Sequence, residues 1–211
     1  ANYADVDGNG TVDGIIYADL AIGGSGSWGS NGSYTIPKGS GFKKYQVTQE
    51  SYSESFGTGK VIAPINGSSG NQRFYVMALS NVDSNTHQFW GRSGTSVVTS
   101  TDFGTGASNT AVMIARSGSS SYLWGLSAVQ SGTWNGSSGW YVPSRDEWAA
   151  FAGQLEIDDN NYQSMALSNG YWSSSLNNFG WSVNFIFGCF YNNLEHSHVS
   201  NYYPVRLGTT F

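Results

Sequence analysis

The stretch GWYVPSRDEWAAFAG, residues 139–153, decides the fold. Ser144 and Glu147 stand three apart, the spacing at which a serine hydroxyl accepts from the backbone N–H of the third helical residue while the glutamate reaches back to the cap. Pro143 precedes that cap, Trp148, Phe151 and Ala152 fall on one face, and Gly153 supplies a stop. The pattern predicts a short helix over 144–153 with an aromatic face turned to the core.

Upstream, TGASNTAVMIARS (105–117) predicts a second short helix, with Ala111, Val112, Ile114 and Ala115 as its apolar residues and Ser108 or Asn109 as cap. The other ordered segments read as strands: GIIYADLAI (14–22), KVIAPI (60–65), RFYVMALS (73–80), YWSSS (171–175), WSVNF (181–185) and PVRLG (204–208), with Gly188 at a turn. Serine- and glycine-rich patches at 23–33, 117–121 and 131–139 read as loops. The class is α+β: two short helices packed on irregular antiparallel sheet with long loops. A single domain over 1–211 is expected; a boundary, if one exists, falls near residues 40–60 and makes 1–60 an amino-terminal extension.

Composition narrows the function. The 211 residues carry 8 Trp and 13 Tyr, but only 9 Lys+Arg against 14 Asp+Glu, a net charge of -5. A chain this aromatic builds a packed core, and with no basic stripe to neutralise phosphates, nucleic acid is not an expected partner. No window has the roughly 18 uninterrupted apolar residues of a membrane helix, so no membrane insertion is expected; no export signal is visible. Cys189 is the only cysteine, which excludes an internal disulfide and a thiolate metal cluster.

Few residues have the makings of catalysis. The histidines are His87, His196 and His198, no G-x-S-x-G elbow occurs, and the acid pairs Asp146/Glu147 and Asp158/Asp159 read as structural. Gly24, Gly26 and Gly29 have the spacing of a dinucleotide loop, but SNGSYTIP follows where a helix is required. His196 and His198, two apart, would share one side of a strand; a ligand-contacting pair is the preferred reading over a metal site with Cys189 or Glu195. In DVDGNGTVD (5–13), Asp5, Asp7 and Asn9 alternate before Gly10, with Asp13 beyond, as in a calcium loop. Ile16 occupies the position of that motif's bidentate acid, so an Asp/Asn/Gly turn is the preferred reading and calcium the weaker one. No cofactor is expected.

Residues 176–203 differ from the rest: eight of 28 are aromatic, six are Asn, and Glu195 is the only charged one. Rigid aromatics with small adaptable polar groups are the composition of antibody-like binding loops. If WSVNF alternates as a strand, Trp181, Val183 and Phe185 face inward, leaving Ser182, Asn184 and Ile186 outward beside Phe187, Tyr191 and Tyr202.

The stretch GWYVPSRDEWAAFAG (139–153), then YWSSS, the Trp181 strand and the closing VRL (205–207) together resemble the C-type-lectin-fold variable proteins that retroelements diversify in phages and bacteria. SNTAVMIA (108–115) fits the same pattern; the likeness covers roughly residues 105–211, with the variable region at about 176–203. The resemblance implies a C-type lectin-like fold and adenine-directed variation that never yields Glu, Lys, Gln, Met or Trp. Only Trp181 and Glu195 in 176–203 fall outside the permitted set. It further implies that Phe179, Ser182, Asn184, Ile186, Phe187, Cys189, Tyr191, Asn192, Asn193, His196, His198 and Tyr202 contact ligand, while Trp172, Ser173, Val205 and Arg206 are frame. The expected role is non-catalytic receptor binding or adhesion toward a macromolecule of another cell, from a phage tail or a bacterial surface. A structural domain of a tail fibre or adhesin is the alternative, and an enzyme on this fold a weaker one. Two departures count against inherited chemistry. The chain has Trp134-Asn135-Gly136 in place of the sugar-binding calcium motifs, and one cysteine where formylglycine-generating oxidases of this fold use two.

Overall fold

The computed structural model describes residues 1–30, 32–82, 99–116, 122–177, 179–185, 189–193 and 203–211, without the side chains at 176–177, 179–182, 184 and 189–193. In chain order come β1 (Asn2–Ala4), β2 (Gly14–Asp19), β3 (Gly24–Trp28), β4 (Gly32–Ile36), β5 (Tyr45–Glu54), β6 (Gly57–Pro64) and β7 (Phe74–Ala78). Then follow α1 (Gly106–Arg116), a 3-10 turn at Leu123–Gly125, α2 (Ser127–Ser131), β8 (Thr133–Trp134), β9 (Ser137–Ser138), α3 (Arg145–Gln154), β10 (Gly170–Asn177), β11 (Phe179–Asn184), β12 (Cys189–Asn193) and β13 (Gly208–Thr210). The architecture is mixed: a few short helices on sheets.

The main sheet runs β13-β7-β2-β1-β6-β5. Its β1–β6 pair is parallel, a departure from the all-antiparallel expectation that arises because β1 inserts between β2 and β6. Alternation along the strands feeds two cores. Phe74, Val76 and Ala78 of β7 join one cluster with Met113, Trp124, Trp140 and Leu207, while Met77 joins the other with Tyr3, Ile15, Trp148 and Phe151. A sheet covered on both faces reads as a continuous apolar run rather than an alternating one, which is why RFYVMALS carries so little polar character.

Helix α3 is the hub. Ser144 and Glu147 form the predicted capping box in full, and every residue from Asp146 to Ala152 is buried. The helix contacts β2, β3, β4, β10 and β11 and so lies between the main sheet and the carboxy-terminal strands. Gly153 is not its stop: the helix runs to Gln154 and the positive φ falls at Glu156 (53°). Glycine is needed at 153 because a Cβ there would come 2.7 Å from the Tyr34 hydroxyl.

Other expectations shift. Helix α1 starts at Gly106, ahead of both proposed caps, and buries Asn109, Thr110 and Met113 while Val112 is 40% exposed. The buried polar pair is what attaches it: Thr110 Oγ1 accepts from Val142 N–H at 3.0 Å, and Asn109 Nδ2 donates to Ser100 O at 2.7 Å. The patch 23–33 is not a loop but mostly the β3–β4 hairpin, whose glycines let backbone approach Tyr34; at Gly26 a Cβ would meet that hydroxyl at 2.5 Å. In 131–139, β8 and β9 make a second small hairpin. PVRLG becomes a regular strand only from Gly208, as β13 against β7, although Val205 O and Leu207 O already accept from Val82 and Ala78 N–H. Residues 1–60 supply β1, β2 and β5 and begin β6, all in the sheet that also holds β13. Gly188 and the patch 117–121 lie outside the described residues.

Candidate functional site

Strands β10, β11 and β12 form a separate antiparallel sheet. Three devices fix it to the body. Tyr171 stacks on Trp148 at 4.8 Å and 18°, a geometry worth on the order of 1 kcal/mol beyond the area it buries, and Trp148 Nε1 donates to Trp172 O at 3.2 Å. Ser173, Ser174 and Ser175 are fully buried at an irregularity in the β10–β11 register. There Ser175 Oγ accepts from Arg145 N–H at 2.9 Å and donates to Ser100 O at 2.8 Å, and Ser174 Oγ accepts from Asn109 Nδ2 at 3.2 Å. Short hydroxyls suit this seam because they satisfy buried polar groups at close range: Ser175 those of α3 and the 99–105 loop, Ser174 the Asn109 amide of α1, and Ser173 the Ser175 N–H of β10 itself.

Behind the sheet, Phe185 is fully buried, with rings of Trp28, Trp148, Tyr162 and Tyr171 around it. Val183 is also fully buried. Cross-strand partners share a face, so the register sorts the expected contact residues. Ser182 pairs with Tyr191 on one side and with buried Trp172 on the other, and Asn184 pairs with Cys189 and Gly170, at positions of the parity opposite to Val183; Gly180 pairs with Asn193 at that same parity. Asn192 pairs with Trp181 and therefore shares the parity of Val183, so the two adjacent asparagines fall on different faces. Phe179 pairs with Asn177 at the start of β11. Ile186, Phe187, His196, His198 and Tyr202 lie outside the described residues, as does His87.

The four residues read as frame are all buried: Trp172, Ser173, Val205 and Arg206. Arg206 is the residue whose role the sequence hid. Its guanidinium donates to Asn81 Oδ1 at 2.9 Å and Ala166 O at 3.1 Å and lies 5.5 Å from the Tyr171 ring centroid. Burial holds its pKa below the usual arginine value. The cation thus ties the closing VRL segment to the β7 end, to the turn before β10 and to β10 itself.

The acid pairs are structural. Glu147 Oε2 accepts from Gly106 N–H at 2.7 Å and Ser144 N–H at 3.1 Å, joining the amino termini of α1 and α3. Complete burial pushes its carboxyl above the ordinary glutamate range, against the pull of those hydrogen bonds. Asp146 pairs with Arg145 at 2.9 Å, and Asp158 Oδ1 accepts from Asn160 and Asn161 N–H in a local turn. Gly24 and Gly26 are strand residues of β3, and the β3–β4 turn leads into strand rather than helix.

The 5–13 segment connects β1 to β2 as a tight acidic turn. Asp5 Oδ2 accepts from Gly10 N–H at 2.8 Å, Asn9 Nδ2 donates to Asp7 Oδ2 at 3.0 Å, and Asn9 Oδ1 accepts from Thr11 N–H at 2.7 Å. Asp5 and Asp13 are buried and Asp7 is exposed. Burial, opposed by a hydrogen bond from Val6 N–H and reinforced by Asp7 and Asp5, pushes the Asp13 carboxyl up to about 6.

Comparison with known proteins adds no relative. No family profile, curated protein or solved structure matches the chain.

Proposed function

We propose that the chain is a non-catalytic binding protein of C-type lectin-like fold, whose carboxy-terminal sheet carries a retroelement-diversified ligand surface. One observation carries the reading: within β11, buried Val183 and Phe185 alternate with positions 182 and 184, whose cross-strand partners at 191 and 189 share the opposite face. Outward positions of a firmly anchored strand can change identity without disturbing the core, as a surface that varies must. The near-absence of charge in 176–203 suits a macromolecular partner engaged through aromatic and amide contacts, displayed on a phage tail or a bacterial surface.

Two measurements test this. Related copies amplified from one source population should differ at 182, 184, 189, 191 and 193 and agree at 183 and 185; differences spread evenly over both parities would defeat the proposal. The chain should also capture material from a bacterial surface extract, and Asn184→Ala with Tyr191→Ala should lose that capture at an unchanged melting temperature.

A further inference from the structure

We infer that the β1–β2 turn is a divalent-cation site for calcium, formed by Asp5, Asp7 and Asp13. This site is independent of what the carboxy-terminal sheet binds.

Each of the three residues offers a carboxylate oxygen, and the three oxygens lie within 4.8 Å of one another. Calcium binds oxygen at about 2.3–2.6 Å, so two ligands on one ion stand at most about 5 Å apart, and the cluster already meets that limit. A collection of acids alone would carry little weight, since exposed acids gather without a ligand. Asp13 is different. It is 0% exposed, its Oδ2 accepts from Val6 N–H at 2.8 Å, and its Oδ1 has no hydrogen-bond partner. A buried carboxylate oxygen without a donor costs free energy that nothing in the surrounding protein returns. Among the described residues no lysine or arginine forms an ion pair with Asp5, Asp7 or Asp13.

The scaffold for such a site is present. Asp5 N–H donates to Ile62 O at 3.0 Å and Asp13 N–H to Ala4 O at 2.7 Å, so both buried acids are pinned to the sheet, while Asp7 projects from the turn between them. All-oxygen carboxylate donors select a hard cation, and a site with one solvent-exposed acid leaves positions for water. The missing acid at Ile16 rules out the helix-flanked calcium loop but not this cluster, because Asp13 closes the site from the start of β2.

The test uses the whole chain, stripped with chelator and then scanned thermally in calcium, in magnesium, or in sodium chloride of matched ionic strength. Calcium at a hundredfold excess over its Kd should raise the melting temperature by about 5–10 °C. Asp7→Asn, at an exposed position, should leave the metal-free melting temperature in place and remove most of that rise. Asp13→Asn should raise the metal-free value and abolish the response. A calcium rise no larger than that in matched sodium chloride, or one that survives in Asp7→Asn, overturns the proposal; a larger rise with magnesium than with calcium overturns the choice of ion.

Discussion

At the scale of single residues, two buried ionisable groups hold this chain together and behave differently under substitution. Arg206 donates through two separate nitrogens, Nε to Asn81 Oδ1 and Nη2 to Ala166 O. A lysine ammonium is a single point and cannot span both, so Arg206→Lys should destabilise by about 2 kcal/mol in urea titration. Glu147 has a folded-state pKa raised above its unfolded value, so the native state holds its proton more tightly. Its ionisation therefore lowers stability as pH rises from the unfolded pKa through the folded one. Glu147→Gln, which keeps an oxygen for Gly106 and Ser144, should remove that fall: the stability difference between variant and parent should move in the variant's favour from pH 4 to pH 7.

Among the elements, α3 and the β3–β4 hairpin meet at the Tyr34 hydroxyl, which sits against both Gly26 and Gly153 and accepts from Gln154 Nε2 at 3.0 Å. In an open helix Gly→Ala stabilises by about 1 kcal/mol. Gly153→Ala should instead cost about 1–2 kcal/mol, and Tyr34→Phe in the same chain should recover part of it; a stabilised Gly153→Ala protein would contradict the crowding. This contact explains what was legible in the sequence. The capping box and aromatic face of α3 depend on neighbours three and four residues away, so they could be read directly. The stop at Gly153 could not, because the reason for glycine there is a tyrosine about 120 residues earlier. For the same reason β3 looked like a loop: its Gly-Ser run has no strand propensity of its own and is held by what packs on it. The orientation of helix α1 is hidden in the sequence, since Asn109 and Thr110 turn inward beside Met113 and are satisfied by the 99–105 loop, β10 and Val142.

For the molecule as a whole, the six-stranded sheet draws on residues from both ends of the described chain, with β1 hydrogen-bonded on both sides. Removing residues 1–13 should abolish cooperative unfolding rather than trim an appendage, as seen in loss of near-ultraviolet circular dichroism. The candidate binding face was half legible: composition marked 176–203, but only the register separates Asn192 from Asn193. Its division predicts unequal costs. Phe185→Ala should destabilise by about 4 kcal/mol, and Ser182→Ala by less than about 0.5 kcal/mol, in the same unfolding experiment.

The pairing of β11 with its neighbours also limits how this surface can evolve. A strand whose alternate residues serve opposite duties can be respelled one letter at a time but cannot be lengthened. Inserting one residue between Ser182 and Val183 would break the parity that keeps Val183 and Phe185 in the core and positions 182 and 184 off it. If the surface is diversified as proposed, the process must substitute nucleotides and spare the reading length, and lineages that add or drop a codon within 181–185 should be missing from any population of functional copies.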